Sequence, residues 1–311
     1  MAVSGRIDPV KTSRTCSTGG GPVRGVLAGA IVGFLLAAPA PPGASAGPPQ
    51  RNGRAETTLT VFAAASLNEV FRKEAEAFHG AHPGTTFAFN FAGSQQLAQQ
   101  IVLGARADVF ASADMRQMHA AAPLIDSTSV RVFARNRLVV VVPSSPDRRV
   151  RRLSDLASPG VRLVLAARAV PAGDYAQQFI GKCASGGEFR DDFGSAVARN
   201  VVSYEENVRA VLAKVVLAEA DAGIVYVSDA ASAARNTVDT VDIPERLNVT
   251  AEYPVGRTRE SAHAAEAERF IRFLLSEAGQ QILARAGFTR ALPRAAAAPD
   301  ASSPQDTSPH E

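Results

Sequence analysis

Between Thr57 and Pro293 the chain repeats one pattern. A run of apolar residues fit for a strand is followed by a segment whose apolar positions recur at helical spacing. "LTVFAAA" (59–65) reads as a strand. "SLNEVFRKEAEAFHGAH" (66–82) reads as a helix with Leu67, Val70, Phe71, Ala75 and Phe78 on one face. The strand "TTFAFNFA" precedes the helix "SQQLAQQIVLG", and "ADVFASA" precedes a short helix. "RLVVVVP" and "RLVLAA" are strands, and a helix starts at "PAGDYAQQFIG". "NVVSY", the helix "ENVRAVLAKVVLAEA" and "AGIVYV" continue the alternation. "VDTVDIP" and "AEYPVGR" are further strands, and residues 262–287 supply two closing helices. Such alternation predicts an α/β fold with largely parallel sheets. On such sheets ligands sit beyond the carboxyl ends of strands, where helices begin.

Both ends of the chain break the pattern. Residues 1–46 combine a basic start (Arg6, Lys11, Arg14, Arg24), the apolar run Gly25–Ala38 and the small-residue site Ala44-Ser45-Ala46. They read as a secretory signal peptide, with a membrane anchor as the competing reading. Residues 47–56 read as a polar linker, and residues 294–311, rich in Ala, Pro and Ser, as a disordered tail.

The leader alters the charge picture. The whole chain has 33 basic and 30 acidic residues. The leader holds four basic residues and one acid, which leaves 29 against 29. With no Trp and 6% aromatics, nothing points to nucleic-acid binding. Cys16 leaves with the leader, so Cys183 stands alone and no intramolecular disulfide is expected. An exported protein without disulfides suits a periplasm.

Four strand-to-helix junctions and one strand end carry the candidate chemistry. Ser66 opens "SLNE", which fits a capping box with Glu69. Ser94 follows Gly93, expected to allow an unusual backbone angle. Pro171 opens a helix whose next residues, Ala172 and Gly173, present bare amides. In "SYEENVRAVL", Asn207 can cap while Val208 offers its N–H. Tyr226 ends a strand and brings a phenol.

Helix N-termini hold unpaired N–H donors and partial positive charge, so they bind anions without a formal cation. None of the four tips carries Lys or Arg, Arg168 being the nearest. Neutral donors suit a compact, fully ionised anion. Phosphate at neutral pH keeps a proton and needs an acceptor.

With these places in hand, the sequence resembles the periplasmic molybdate-binding proteins of ABC transporters. "VFAAASL", "FAGSQQLAQQI", "GARADVFASAD", "RNRLVVVVP", "VPAGDYA", "ENVRAVL", "GIVYVSDA" and "EYPV" carry the resemblance, in that order, over Thr58 to Leu292. The resemblance implies a two-lobed type II periplasmic binding protein fold with the ligand cleft between lobes. Lobe 1 would be 57–140 and 250–293, and lobe 2 would be 141–249, with "RLVVVVP" and "AEYPVGR" crossing between them.

It implies oxyanion donors at Ser66, Ser94, Ala172, Val208 and Tyr226. Molybdenum would be held as molybdate, with no direct metal ligands and no cofactor. It further implies tungstate binding, a permease partner, a monomer and no enzymatic activity. The departures are Gly93, Val227, the longer segment 183–199 and "AARAV" before Pro171.

Two other readings stay open: a receptor for sulfate, phosphate or an organic ligand on the same fold, and a cleft enzyme using Cys183. His79 and His82 have a spacing that a metal site could use.

Overall fold

The computed structural model describes residues 56–291. The expected leader, nearly all of the linker, and the tail lie outside the described residues. The described chain holds ten strands and nine α-helices.

The first half of the molecule is built on β1 (Thr57–Ala64), β2 (Thr85–Ala92) and β3 (Val109–Ala111), all parallel, with β1 in the middle. β9 (Thr250–Arg257) runs antiparallel to β3, β4 (Arg131–Pro143) runs antiparallel to β9, and β10 (Thr289–Arg290) pairs antiparallel with β4. The second half groups β5 (Leu163–Ala166), β6 (Val201–Glu205), β7 (Ala222–Tyr226) and β8 (Val238–Val241). β5 pairs parallel with β6 and β7, while β7 and β8 pair antiparallel with the far half of β4.

β4 therefore belongs to both groups. Residues Arg131–Arg137 pair with β9, and Leu138–Pro143 pair with β7 and β8. It crosses as expected. β9 does not: it pairs along its length with β3 and the first half of β4, and residues 242–249 make the return. The sheets are mixed rather than largely parallel. The antiparallel pairs all come from the long β4 and the segment β8–β9, which runs one way along it, together with β7 and β10 on β4 and β3 on β9.

α1 (Asn68–Ala81) and α2 (Ser94–Val102) follow β1 and β2, and α3 (Met115–Ala120) follows β3. α4 (Pro171–Ser185), α6 (Val208–Val216) and α7 (Val227–Ser232) follow β5, β6 and β7. The extra segment 183–199 continues α4 to Ser185 and then forms α5 (Phe193–Asn200), which packs on α4. α8 (Ala264–Leu275) and α9 (Glu277–Arg285) close the chain. Among the described residues no helix is long and apolar enough to cross a membrane.

Phenylalanines anchor α1 under β1. Phe71 lies 5.7 Å from Phe133 and 5.9 Å from Phe270, and Phe78 lies 5.6 Å from Phe270. Edge-to-face rings of this kind add to area burial. His79 and His82 are spent on this helix end. His79 Nδ1 donates to the Thr85 carbonyl at 2.8 Å, and His82 stacks on Phe78 at 4.3 Å. They form no metal site, and no cluster of three or more metal-ligating side chains exists among the described residues.

Glu74 shares the apolar face of α1. It is fully buried, and neither carboxyl oxygen has a partner among the described residues. Burial pushes its pKa from 4.5 up to about 9. The unfolded chain releases this proton near pH 4.5, while the folded chain keeps it to about pH 9. Stability from this group is therefore full at acid pH and falls as pH rises between those values. Glu74→Gln should raise stability at neutral pH by roughly 1–3 kcal/mol and flatten that decline. Urea unfolding of both proteins across the range checks it.

Candidate functional site

β1 ends in buried alanines and passes into a single 3-10 turn, Ala65–Leu67, before α1 begins at Asn68. Ser66 lies inside that turn rather than capping the helix. The expected capping box is not formed, and no side chain caps the turn or α1. Glu69 turns away and pairs with Arg209 of α6, a stronger partner than a backbone amide. Ser66 Oγ lies 3.0 Å from the hydroxyl of Tyr253 on β9.

Ser94 is the first residue of α2. Its Oγ accepts the Ala113 N–H at 3.0 Å. That bond uses a lone pair and leaves the hydroxyl proton to be donated elsewhere. The preceding Gly93 has an ordinary backbone, φ −59° and ψ 137°, which corrects the expected unusual angle. Glycine is needed there for close approach: a Cβ would lie 2.7 Å from the Glu206 carbonyl oxygen.

Pro171 opens α4, and Ala172 follows in its first turn, where N–H groups have no acceptor within the helix. Asn207 caps α6 by accepting the Ala210 N–H at 3.0 Å. The Val208 N–H, one position into the helix, is left over.

Tyr226 ends β7. It is buried, and its hydroxyl has no hydrogen-bond partner among the described residues. Burial raises its pKa well above the ordinary phenol range, so it remains a donor at neutral pH. Asp229 accepts the Tyr226 N–H at 3.2 Å. Burial lifts the Asp229 pKa to about 7 against the pull of Arg209, 3.6 Å away.

All five expected positions meet. Ser66, Ser94, Ala172, Val208 and Tyr226 line one cavity, together with Gly93, Ala113, Pro171, Asn207 and neighbours. No charged side chain lines it. It is small, about 10 Å³, on the order of the space one water-sized sphere needs. Around it, polar contacts tie the two strand groups together. Gln95 Nε2 donates to the Glu206 carbonyl at 2.9 Å, and Gln96 Nε2 donates to the Glu206 carboxylate at 3.1 Å. Arg116 lies 3.7 Å from Asp174.

The other candidates stand apart. Arg168 is exposed and does not line the cavity, and no residue of 183–199 does. Cys183 is buried in α4, and burial pushes its thiol up to about 11. A thiol in that state is a poor nucleophile at neutral pH. A larger groove of about 800 Å³ is lined by Met118, Ile125, Phe133 and Leu275 and contains none of the five.

The model of the family described as bacterial extracellular solute-binding protein matches residues 59–289. The chain belongs to that family. This solute-binding protein is 35% identical over 262 residues to the molybdate-binding protein ModA of Mycobacterium tuberculosis, covering 84% of this chain and 94% of the relative. Among solved structures it is similar to the substrate binding domain of a putative molybdenum ABC transporter from Clostridium difficile. That match has 29% identity and a TM-score of 0.58, over 76% of this chain and all of that one. The periplasmic molybdate-binding protein of Azotobacter vinelandii matches with a TM-score of 0.65 at 20% identity, over 76% of this chain and all of that one, and shows the shared fold.

Sequence reasoning missed Tyr253, Ala113 and Arg209 as parts of the site's surroundings. Each acts through a contact more than ten positions away in sequence, and no local spacing signals such a pair.

The unpartnered phenol gives a prediction with opposite signs. Tyr226→Phe should raise the melting temperature of the ligand-free protein by a few degrees, because a buried orphan hydroxyl costs about 1–3 kcal/mol. The same change should weaken ligand binding. Melting curves with and without ligand test both halves.

Proposed function

We propose that this solute-binding protein captures molybdate, and tungstate equally, and delivers it to the membrane permease of an ABC transporter. The observation that carries the reading is the convergence of five neutral donor positions, one an orphaned buried phenol, on one small cavity without charged side chains. Ser66 and Ser94 would donate hydroxyl and backbone N–H, Ala172 and Val208 backbone N–H, and Tyr226 its phenol. Molybdenum is cargo, held through its oxygens with no direct metal ligand and no cofactor. The strong similarity to a molybdate-binding relative supports the cargo.

The lobes would be residues 57–140 with 250–293, and 141–249. Sheet pairing supports a division of this kind. Ser66 and Ser94 then stand on one lobe and the other three donors on the second, so the anion bridges them. It favours the closed arrangement because that form alone offers it every donor. The protein would act as a monomer in the periplasm, exported by its leader, with no enzymatic activity and no nucleic-acid partner.

Selectivity among tetrahedral dianions would come from size. A donor ring set for molybdate leaves the smaller sulfate with long, weak hydrogen bonds.

Thermal unfolding with excess molybdate, tungstate, sulfate or phosphate tests the reading. A ligand at about 100 times its Kd adds about 2.7 kcal/mol, so molybdate and tungstate should each raise Tm by several degrees. A shift with sulfate or phosphate alone would overturn the cargo. Cys183→Ser should leave the molybdate titration unchanged. A large loss of binding would return the thiol to consideration.

A further inference from the structure

Ser66 is a useful donor only if its own oxygen accepts from elsewhere. A serine hydroxyl has one proton, and the Tyr253 phenol 3.0 Å away can either give one to it or take its proton. Burial decides between these. Tyr253 is fully buried, and Ser66 Oγ is its hydroxyl's hydrogen-bond partner among the described residues. If Ser66 gave its proton to Tyr253, the phenol proton would be left unpaired in the core, which is costly. The Tyr253 O–H therefore donates to Ser66 Oγ, and the Ser66 proton is free to point into the cavity.

We propose that Tyr253 is a positioning residue that fixes Ser66 as a donor, through a one-way chain from Tyr253 O–H to Ser66 O–H to the bound anion. Ser94 is polarised in the same sense by the Ala113 N–H. With one lone pair of each oxygen engaged, both hydroxyls are biased to turn their proton, rather than their remaining lone pair, toward the cavity. An anion that still carries a proton then finds poor acceptors in the two serines. Exclusion of hydrogen phosphate thereby depends on a residue that does not touch the ligand. This inference rests on the oxyanion reading of the site.

The test is a double-mutant cycle on Tyr253→Phe and Ser66→Ala, with molybdate and hydrogen phosphate titrated calorimetrically into each variant. Tyr253→Phe should lower molybdate affinity about tenfold, the scale of one hydrogen bond to a charged group. It should also let hydrogen phosphate compete where it does not in the parent. In the Ser66→Ala background the same change should alter molybdate affinity less than about twofold, since its route of action is gone. A merely structural role would lower affinity in both backgrounds and leave phosphate excluded.

Unchanged affinity with unchanged phosphate exclusion in Tyr253→Phe, or an undiminished effect in the Ser66→Ala background, would overturn the proposal. If Tyr253→Phe does not fold, Tyr253→Met, which also lacks the hydroxyl, takes its place and should admit hydrogen phosphate in the same way. If the parent binds sulfate but not molybdate, the cycle is run with sulfate: the cargo reading then fails while the positioning role is still judged. If the parent binds no oxyanion, both fall.

Discussion

The rest of the structure depends on backbone N–H groups that their own helices cannot satisfy. Every α-helix leaves such donors in its first turn. Here α2, α4 and α6 bring theirs to one buried place, joined by the 3-10 turn at Ser66 and the end of β7. Burial removes water as an acceptor and makes an unpaired donor costly. Side chains relieve part of the cost: Asn207 takes the Ala210 amide, and Gln96 takes the Gly93 amide. What remains is a set of uncharged donors around one small cavity.

The surrounding shell turns those donors into a site by fixing orientation. Arg209 joins the starts of three elements, since it pairs with Glu69 after the first junction and Asp229 after the fifth while standing one residue beyond Val208. Its charge is matched by those carboxylates and does not enter the cavity. The phenylalanines around α1 do comparable work without polarity, because the position of Ser66 follows that of the helix they hold. Glu74, a lone carboxyl on the same face, works against this packing.

Much of this could be read in the chain. The strand-to-helix junctions, the absence of Lys and Arg at their tips, and the phenol at the end of β7 all follow from local pattern. What could not be read depends on distant partners. Ser66 and Glu69 have the spacing of a capping box, and nothing nearby says that Arg209 competes for Glu69 from 140 positions away. β9 was expected to cross because the family resemblance implied it, yet its pairing is decided by β3 and β4. Tyr253 sits in a stretch that reads as ordinary strand, and its hydroxyl acquires meaning only from Ser66, 187 positions away. The helix α5 was hidden because the segment before it is rich in glycine and charge.

Gly93 shows how a missing atom can set a dimension. Its α-carbon passes so near the Glu206 carbonyl that no methyl group fits between them. The two halves of the chain meet there as bare backbone, like two tiles laid without grout. A side chain at this position would have to push the joint apart, so the closeness of the two halves here is written in the one residue type with nothing to shave off.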